Sequence, residues 1–114
     1  MRATFVELPA FLRHRAEYLD DHEFRGLQDE LMKYPERGDV IPGTGGLRTL
    51  RYADRNRGKG KRGGLRIIYY WWVAGDQFWL FTVYDKDEAA DLTADERKAF
   101  GALLDRELHA RGVR

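Results

Sequence analysis

Two apolar runs near the middle of the chain constrain its fold more than any other feature. Leu65 to Val73 reads Leu-Arg-Ile-Ile-Tyr-Tyr-Trp-Trp-Val and Gln77 to Tyr84 reads Gln-Phe-Trp-Leu-Phe-Thr-Val-Tyr, with only Ala74-Gly75-Asp76 between them. β-Branched and aromatic residues at this density, split by a short turn, read as a hairpin. Both runs are apolar at odd and even positions alike, so both faces of the strands need cover. The hairpin therefore belongs at the centre of a sheet. Its aromatics Tyr69, Tyr70, Trp71, Trp72, Phe78, Trp79 and Phe81 are expected to be core or half-covered.

The flanking segments supply the rest of a domain. Ala3 to Leu8 is a short β-branched stretch ended by Pro9, hence a strand. From Pro9 to Leu19 the apolar positions Phe11, Leu12, Tyr18 and Leu19 recur at helical spacing. Asp20 with Glu23 then forms an acidic capping box, and Phe24, Leu27, Leu31 and Tyr34 give the stripe of a second helix that Pro35 stops. The two helices are expected to pair on the sheet. Residues 38 to 46, Gly-Asp-Val-Ile-Pro-Gly-Thr-Gly-Gly, form a loop, and as a nucleotide site the loop is weak because the P-loop's strand, helix, lysine and hydroxyl are missing. Leu47 to Tyr52 reads as a strand and residues 53 to 64 as a glycine- and base-rich loop. Thr93 with Glu96 caps a last helix striped by Phe100, Leu103, Leu104 and Leu108, with Gly112 as its stop. The order β-α-α-β-β-β-α predicts an antiparallel sheet with an N-terminal helical hairpin and a C-terminal helix, the helices segregated to one face and an end, which is the α+β class. The other face is left for solvent or a ligand. With 114 residues, 43% of them hydrophobic, residues 1–114 suit a single domain.

Composition narrows the chemistry. No apolar run approaches the roughly 18 residues of a membrane span, and the N-terminus lacks the pattern of a secretory signal, so a cytoplasmic protein without a membrane partner is expected. The absence of cysteine excludes disulfides, thiolate metal sites and a thiol nucleophile. His14, His22 and His109 are scattered without metal-ligand spacing, and neither a metal nor a small-molecule cofactor is expected. The net charge of +1 hides a polarised distribution. Residues 48 to 66 carry eight basic side chains against Asp54 alone, a segment charge of +7 that leaves −6 for the rest. The plain reading is a solvated surface. Asymmetry on this scale in a small domain instead favours a polyanion partner.

Within this segment Arg66 interrupts a hydrophobic strand and shares a face with Ile68, Tyr70 and Trp72. It is either a strand-end charge in water or bridged to a carboxylate, or an arginine on the open face of the sheet aimed at a phosphate. The basic surroundings favour the second. In the loop Arg55-Asn56-Arg57-Gly58-Lys59-Gly60-Lys61-Arg62-Gly63-Gly64, glycines between cations let the backbone approach a phosphodiester, although a solvated hairpin loop would look the same.

Three stretches resemble the signature of HigB toxins of the RelE/ParE superfamily: Gly43-Thr44-Gly45-Gly46-Leu47-Arg48 with Arg51, then Gly58-Lys59-Gly60-Lys61-Arg62-Gly63-Gly64-Leu65-Arg66-Ile67-Ile68-Tyr69-Tyr70, and Val83 to Thr93. The middle run is the specific part, and the resemblance spans nearly the whole chain. It implies a RelE-like fold and the toxin of a type II toxin–antitoxin pair, which enters the ribosomal A site, cuts mRNA during translation and is silenced by a cognate antitoxin with a helix-turn-helix domain. It implies attack of a ribose 2′-hydroxyl on the adjacent phosphate, with Arg66, Lys59, Lys61, Lys86 and Arg51 as catalytic residues. Arg48, Arg55, Arg57, Arg62 and Tyr70 are then candidates for RNA binding. Thr49 stands where a second basic residue is expected, and Leu92 where RelE members carry a tyrosine, so the general base stays unassigned. Clustered cations would still stabilise the charge a phosphorane gains, and weak acid–base groups fit dependence on the ribosome for orientation. Two other readings remain: a ParE-like inhibitor of gyrase, since fold alone does not fix activity, and a non-catalytic RNA-binding module stacking bases on Tyr70 and Trp72.

Overall fold

The computed structural model of the protein describes residues 2–53, 64–87 and 91–113. Strand β1, Thr4–Glu7, leads into helix α1, Pro9–Tyr18. Pro9 sits in the first turn, where its missing N–H costs no hydrogen bond. Helix α2, Asp21–Lys33, opens on the expected capping box, in which the Glu23 amide donates to Asp20 Oδ1 at 2.7 Å and the Asp20 amide to Glu23 Oε1 at 3.0 Å. It ends at Tyr34, because a residue before proline disfavours helical backbone. Four strands follow: β2, Asp39–Val40; β3, Arg48–Tyr52; β4, Leu65–Trp72; and β5, Gln77–Asp85. Helix α3, Ala94–Ala110, closes the chain behind the Thr93–Glu96 capping box. The class is α+β and the order is the expected one with the two-residue β2 added.

The five strands lie in the order β1-β5-β4-β3-β2, with the aromatic hairpin β4–β5 flanked on both sides as its composition requires. The hairpin turns through a single 3₁₀ turn, Val73–Gly75, and Asp76 at φ 49°. Gly75 is required there, since a Cβ would lie 2.4 Å from the Trp72 ring. One correction concerns strand direction: β1 runs parallel to β5, so the sheet is mixed rather than antiparallel. A tight turn forces antiparallel pairing, but β1 reaches β5 only through the rest of the chain and is free of that constraint.

A second correction concerns the helices. Phe11, Phe24, Leu27 and Leu31 of α1 and α2 bury Leu50, Leu65, Ile67, Tyr69, Phe78 and Leu80 on one face of the sheet. Leu104 and Leu108 of α3 cover Ile68, Trp79 and Phe81 on the other. The two-sided apolar strands demanded this cover: a bare second face would leave Trp79 and Phe81 in water. Tyr69, Phe78, Trp79 and Phe81 are buried and Tyr70, Trp71 and Trp72 half-covered, as anticipated. None of the described helices is long and apolar enough to cross a membrane.

Candidate functional site

Register across the three middle strands builds a row of polar side chains on the α3 side of the sheet. Arg51 of β3 pairs with Arg66 of β4, and Arg66 pairs with Tyr84 of β5. Directly opposed residues hold their Cβ atoms about 5 Å apart, so two guanidinium groups and a phenol share one end of this face. Tyr84 reaches that place because of a bulge. Extending the Tyr70↔Trp79 register unbroken would set Val83 opposite Arg66, but the shift between Ile68 and Tyr69 moves Tyr84 there.

The row lines a cavity of about 400 Å³, which also receives Thr49, Asp39 and the 40–42 segment, Lys86 and Asp91 beyond β5, and Arg97 from α3. Lys86 is held by its backbone amide on Gly64 O at 3.1 Å, and its ammonium lies 3.3 Å from Asp91 Oδ2. Four cations thus face two carboxylates. Arg51 and Arg97 make no side-chain hydrogen bond or ion pair with another described residue. Like charges directly opposed across strands are destabilising, and the Arg51–Arg66 pair persists within a surface concavity, the arrangement that suits an anionic occupant.

Arg66 is the buried member, only 4% exposed, and its Nη1 donates to Leu65 O at 3.3 Å. This corrects the expectation of a water-facing side chain on an open sheet face: α3 packs on that face, and Asp91, Leu92 and Arg97 line the cavity with the row. Burial pushes the Tyr84 hydroxyl above the usual phenol range, Asp91 adds to the rise, and Arg66 partly opposes it. Tyr84 is therefore a hydrogen-bond donor at neutral pH and is not available as a base.

Of the residues singled out from the sequence, the cavity gathers Arg51, Arg66 and Lys86. Arg48 lies on the opposite face, opposite Tyr69, where its Nη1 donates to Gly38 O at 2.8 Å and Glu36 O at 3.2 Å. Tyr70 is half-buried in the α3-side core, its ring 5.3 Å from Trp79, away from the cavity. Arg55, Arg57, Lys59, Lys61 and Arg62 lie outside the described residues. Sequence reasoning missed Tyr84, Asp91 and Arg97. For Arg97 a signal existed: the Thr93 cap places it four residues into α3, where a cation opposes the helix dipole and calls for a reason.

No family profile matches the chain. The fold is similar to that of the E. coli toxin RelE, in the free state of a mutant with two arginines replaced by alanine. The likeness has a TM-score of 0.56 and covers 91% of this chain and 98% of that one, at 12% sequence identity, and so places this chain's architecture in the RelE-like fold.

Proposed function

We propose that this protein is a HigB-type toxin of a toxin–antitoxin pair that cleaves mRNA in the ribosomal A site. The observation that carries this reading is the row Arg51–Arg66–Tyr84 with Lys86 and Arg97 in one cavity, in a chain whose residues 48 to 66 carry a charge of +7. The RelE-like fold supports it, as that relative is itself a toxin. The partners on this reading are the ribosome with its mRNA and a helix-turn-helix antitoxin, and the compartment is the cytoplasm.

In the reaction the ribose 2′-oxygen bonds to the adjacent phosphorus as its proton departs, and the bond to the 5′-oxygen of the next nucleotide breaks as that oxygen takes up a proton. Negative charge grows on the equatorial phosphate oxygens. Arg66, fixed within a strand and shielded from water, is placed to meet that charge with a preorganised fork of donors. Arg51 and Lys86 add to the same field, and the protonated Tyr84 donates a hydrogen bond to a phosphate or leaving oxygen. Lys59 and Lys61 complete the set of catalytic cations, and Arg55, Arg57 and Arg62 hold ribosomal RNA. No histidine lines the cavity among the described residues, which fits a part for the ribosome in orienting the substrate.

The test maps 5′ ends of mRNA in translating extracts and of the same RNA without ribosomes. Cleavage confined to translated RNA is the expected result. Equal cleavage of naked RNA would remove the ribosome from the mechanism. Intact RNA in both settings with gyrase inhibited would make the protein a ParE-like toxin.

A further inference from the structure

A second cavity of about 410 Å³ lies between the glycine loop at 42–45 and the first turns of α3. Pro42 and Arg97 line both cavities, so the two adjoin with the Arg97 side chain between them. Its volume falls in the range of small-ligand sites, about 300–1,000 Å³.

The walls are built rather than incidental. The Thr44 hydroxyl donates to Ile41 O at 2.7 Å and accepts from the Leu47 amide at 3.2 Å, which pins the loop from inside. Gly45 holds φ 82°, a conformation open to glycine. Across the gap Gly101 lets the helix approach, since a Cβ there would stand 3.2 Å from the Thr44 Cα. The surface so formed is mostly glycine, alanine and proline, smooth enough for a flat ring. The charged side chains on it are Arg97 and Lys98 with the carboxylate of Asp105, so the cations outnumber the anion. Arg97 is half-buried and its guanidinium pairs with no other described residue, although it stands where the helix dipole disfavours a cation.

We propose that this cavity is a subsite for the nucleotide next to the scissile phosphate, with Arg97 gripping the phosphate that joins the two positions. The base lies in the glycine-walled cavity, where exposed backbone groups can read its edge, and Lys98 at the rim meets the next phosphate. The inference rests on the RNA-cleavage reading above and adds a determinant of sequence preference to it. A single-stranded RNA crossing from one cavity to the other has a cation at each phosphate it passes.

The experiment compares wild type with Arg97→Ala, Arg97→Lys, Lys98→Ala and Ala102→Leu on programmed ribosomes. The messages differ in one base on either side of a cut, and KM, kcat, cut distribution and melting temperature are recorded. Ala102 is exposed on α3, so a leucine there fills the cavity without disturbing the core. Arg97→Ala should raise KM about tenfold, the loss of one charge-assisted contact, and Arg97→Lys should recover part of it. Lys98→Ala should shift KM the same way by less. Ala102→Leu should redistribute the cuts, with the change concentrated at one position next to the cut and the melting temperature retained. Wild-type KM and cut distribution in folded Arg97→Ala and Ala102→Leu would overturn the subsite while leaving Arg66-dependent cleavage standing. A wild-type protein that cuts no RNA would overturn the cleavage reading itself, and the subsite with it.

Discussion

Arg48 and Arg51 stand three residues apart on one strand and live in different proteins, in effect. Arg48 faces the helical hairpin, where its guanidinium holds the carbonyls of Glu36 and Gly38 and so ties the end of α2 to the sheet. Arg51 faces α3, sits opposite another arginine and pairs with no other described residue. The hairpin face is closed: Tyr69 donates to Pro35 O at 2.8 Å and accepts from the Gly38 amide at 3.0 Å, and its polar atoms are consumed by backbone. On the α3 face one end is a cavity in which Arg51, Arg66, Lys86 and Arg97 stand with Asp39 and Asp91. One side of the sheet commits its polar groups to backbone, and on the proposed reading the other presents them to RNA.

The largest effect expected from this division is at Arg66. Arg66→Ala should lower the rate of mRNA cleavage by about 10²-fold or more, as removal of a preorganised donor does. Melting temperature should fall as well, because a buried side chain and its bond to Leu65 O are lost, with relief of the Arg51–Arg66 opposition offsetting part of the cost. A variant that unfolds would move Arg66 to the structural side of the comparison, and a folded variant with normal cleavage would remove it from the chemistry.

Next comes the crossed pair. Arg48→Ala should cost about 1–2 kcal/mol of stability through its charged hydrogen bonds and leave cleavage by the folded fraction intact. Arg51→Ala should do the reverse, reducing cleavage about tenfold at an unchanged melting temperature. Denaturant titration and cleavage kinetics on the same preparations read both quantities. Two variants with the same profile would break the distinction between the faces.

Tyr69 sharpens the closed side. Tyr69→Phe leaves the Gly38 amide and the Pro35 carbonyl without their partner, at about 1–3 kcal/mol. Burial also raises the Tyr69 hydroxyl above the ordinary phenol value of about 10. Above that pH the unfolded chain has lost the proton that the folded chain keeps, so stability falls as pH rises. Tyr69→Phe should therefore be less stable than wild type at pH 7 and decline less steeply above about pH 10. Urea unfolding across pH 7 to 11 checks both slopes, with Tyr84 contributing to the wild-type decline in the same direction.

Local signals in the sequence were enough for every element but the two-residue β2, which lies in the stretch read as a loop. The two capping boxes, the stop at Pro35 and the aromatic hairpin each depend on residues a few positions apart. The parallel direction of β1 was not legible, since no turn connects it to β5, and neither was the side taken by α3, which depends on packing across the whole sheet. At the site, strand parity already separated Arg48, which shares a face with Leu50, from Arg51, and that much was available from alternation alone. The pairing of Arg66 with Tyr84 was not, because one bulged residue in β5 changes which side chain stands opposite. Chemistry that depends on a register shift is hidden from a pattern that assumes regular strands.

The smallest effect tests whether the field of the α3-side cavity, rather than the charge of the molecule, governs the ribosome binding that the proposed function requires. Asp91 is 68% exposed and 3.3 Å from the ammonium of Lys86, a pair worth about 0–1 kcal/mol, so Asp91→Asn should leave stability almost unchanged. It also removes one of the two carboxylates of the cavity. Glu30→Gln offers a matched change on the hairpin side, where Glu30 lies 3.2 Å from Arg37. Both substitutions add one unit of net positive charge. If the cavity sets the interaction, Asp91→Asn should tighten binding to programmed ribosomes a few-fold at low salt and Glu30→Gln should not. The gain should fade as ionic strength approaches 1 M, where screening acts over about 3 Å. Equal gains from the two variants would show that ribosome affinity follows total charge and that the two faces do not differ in their reach toward RNA.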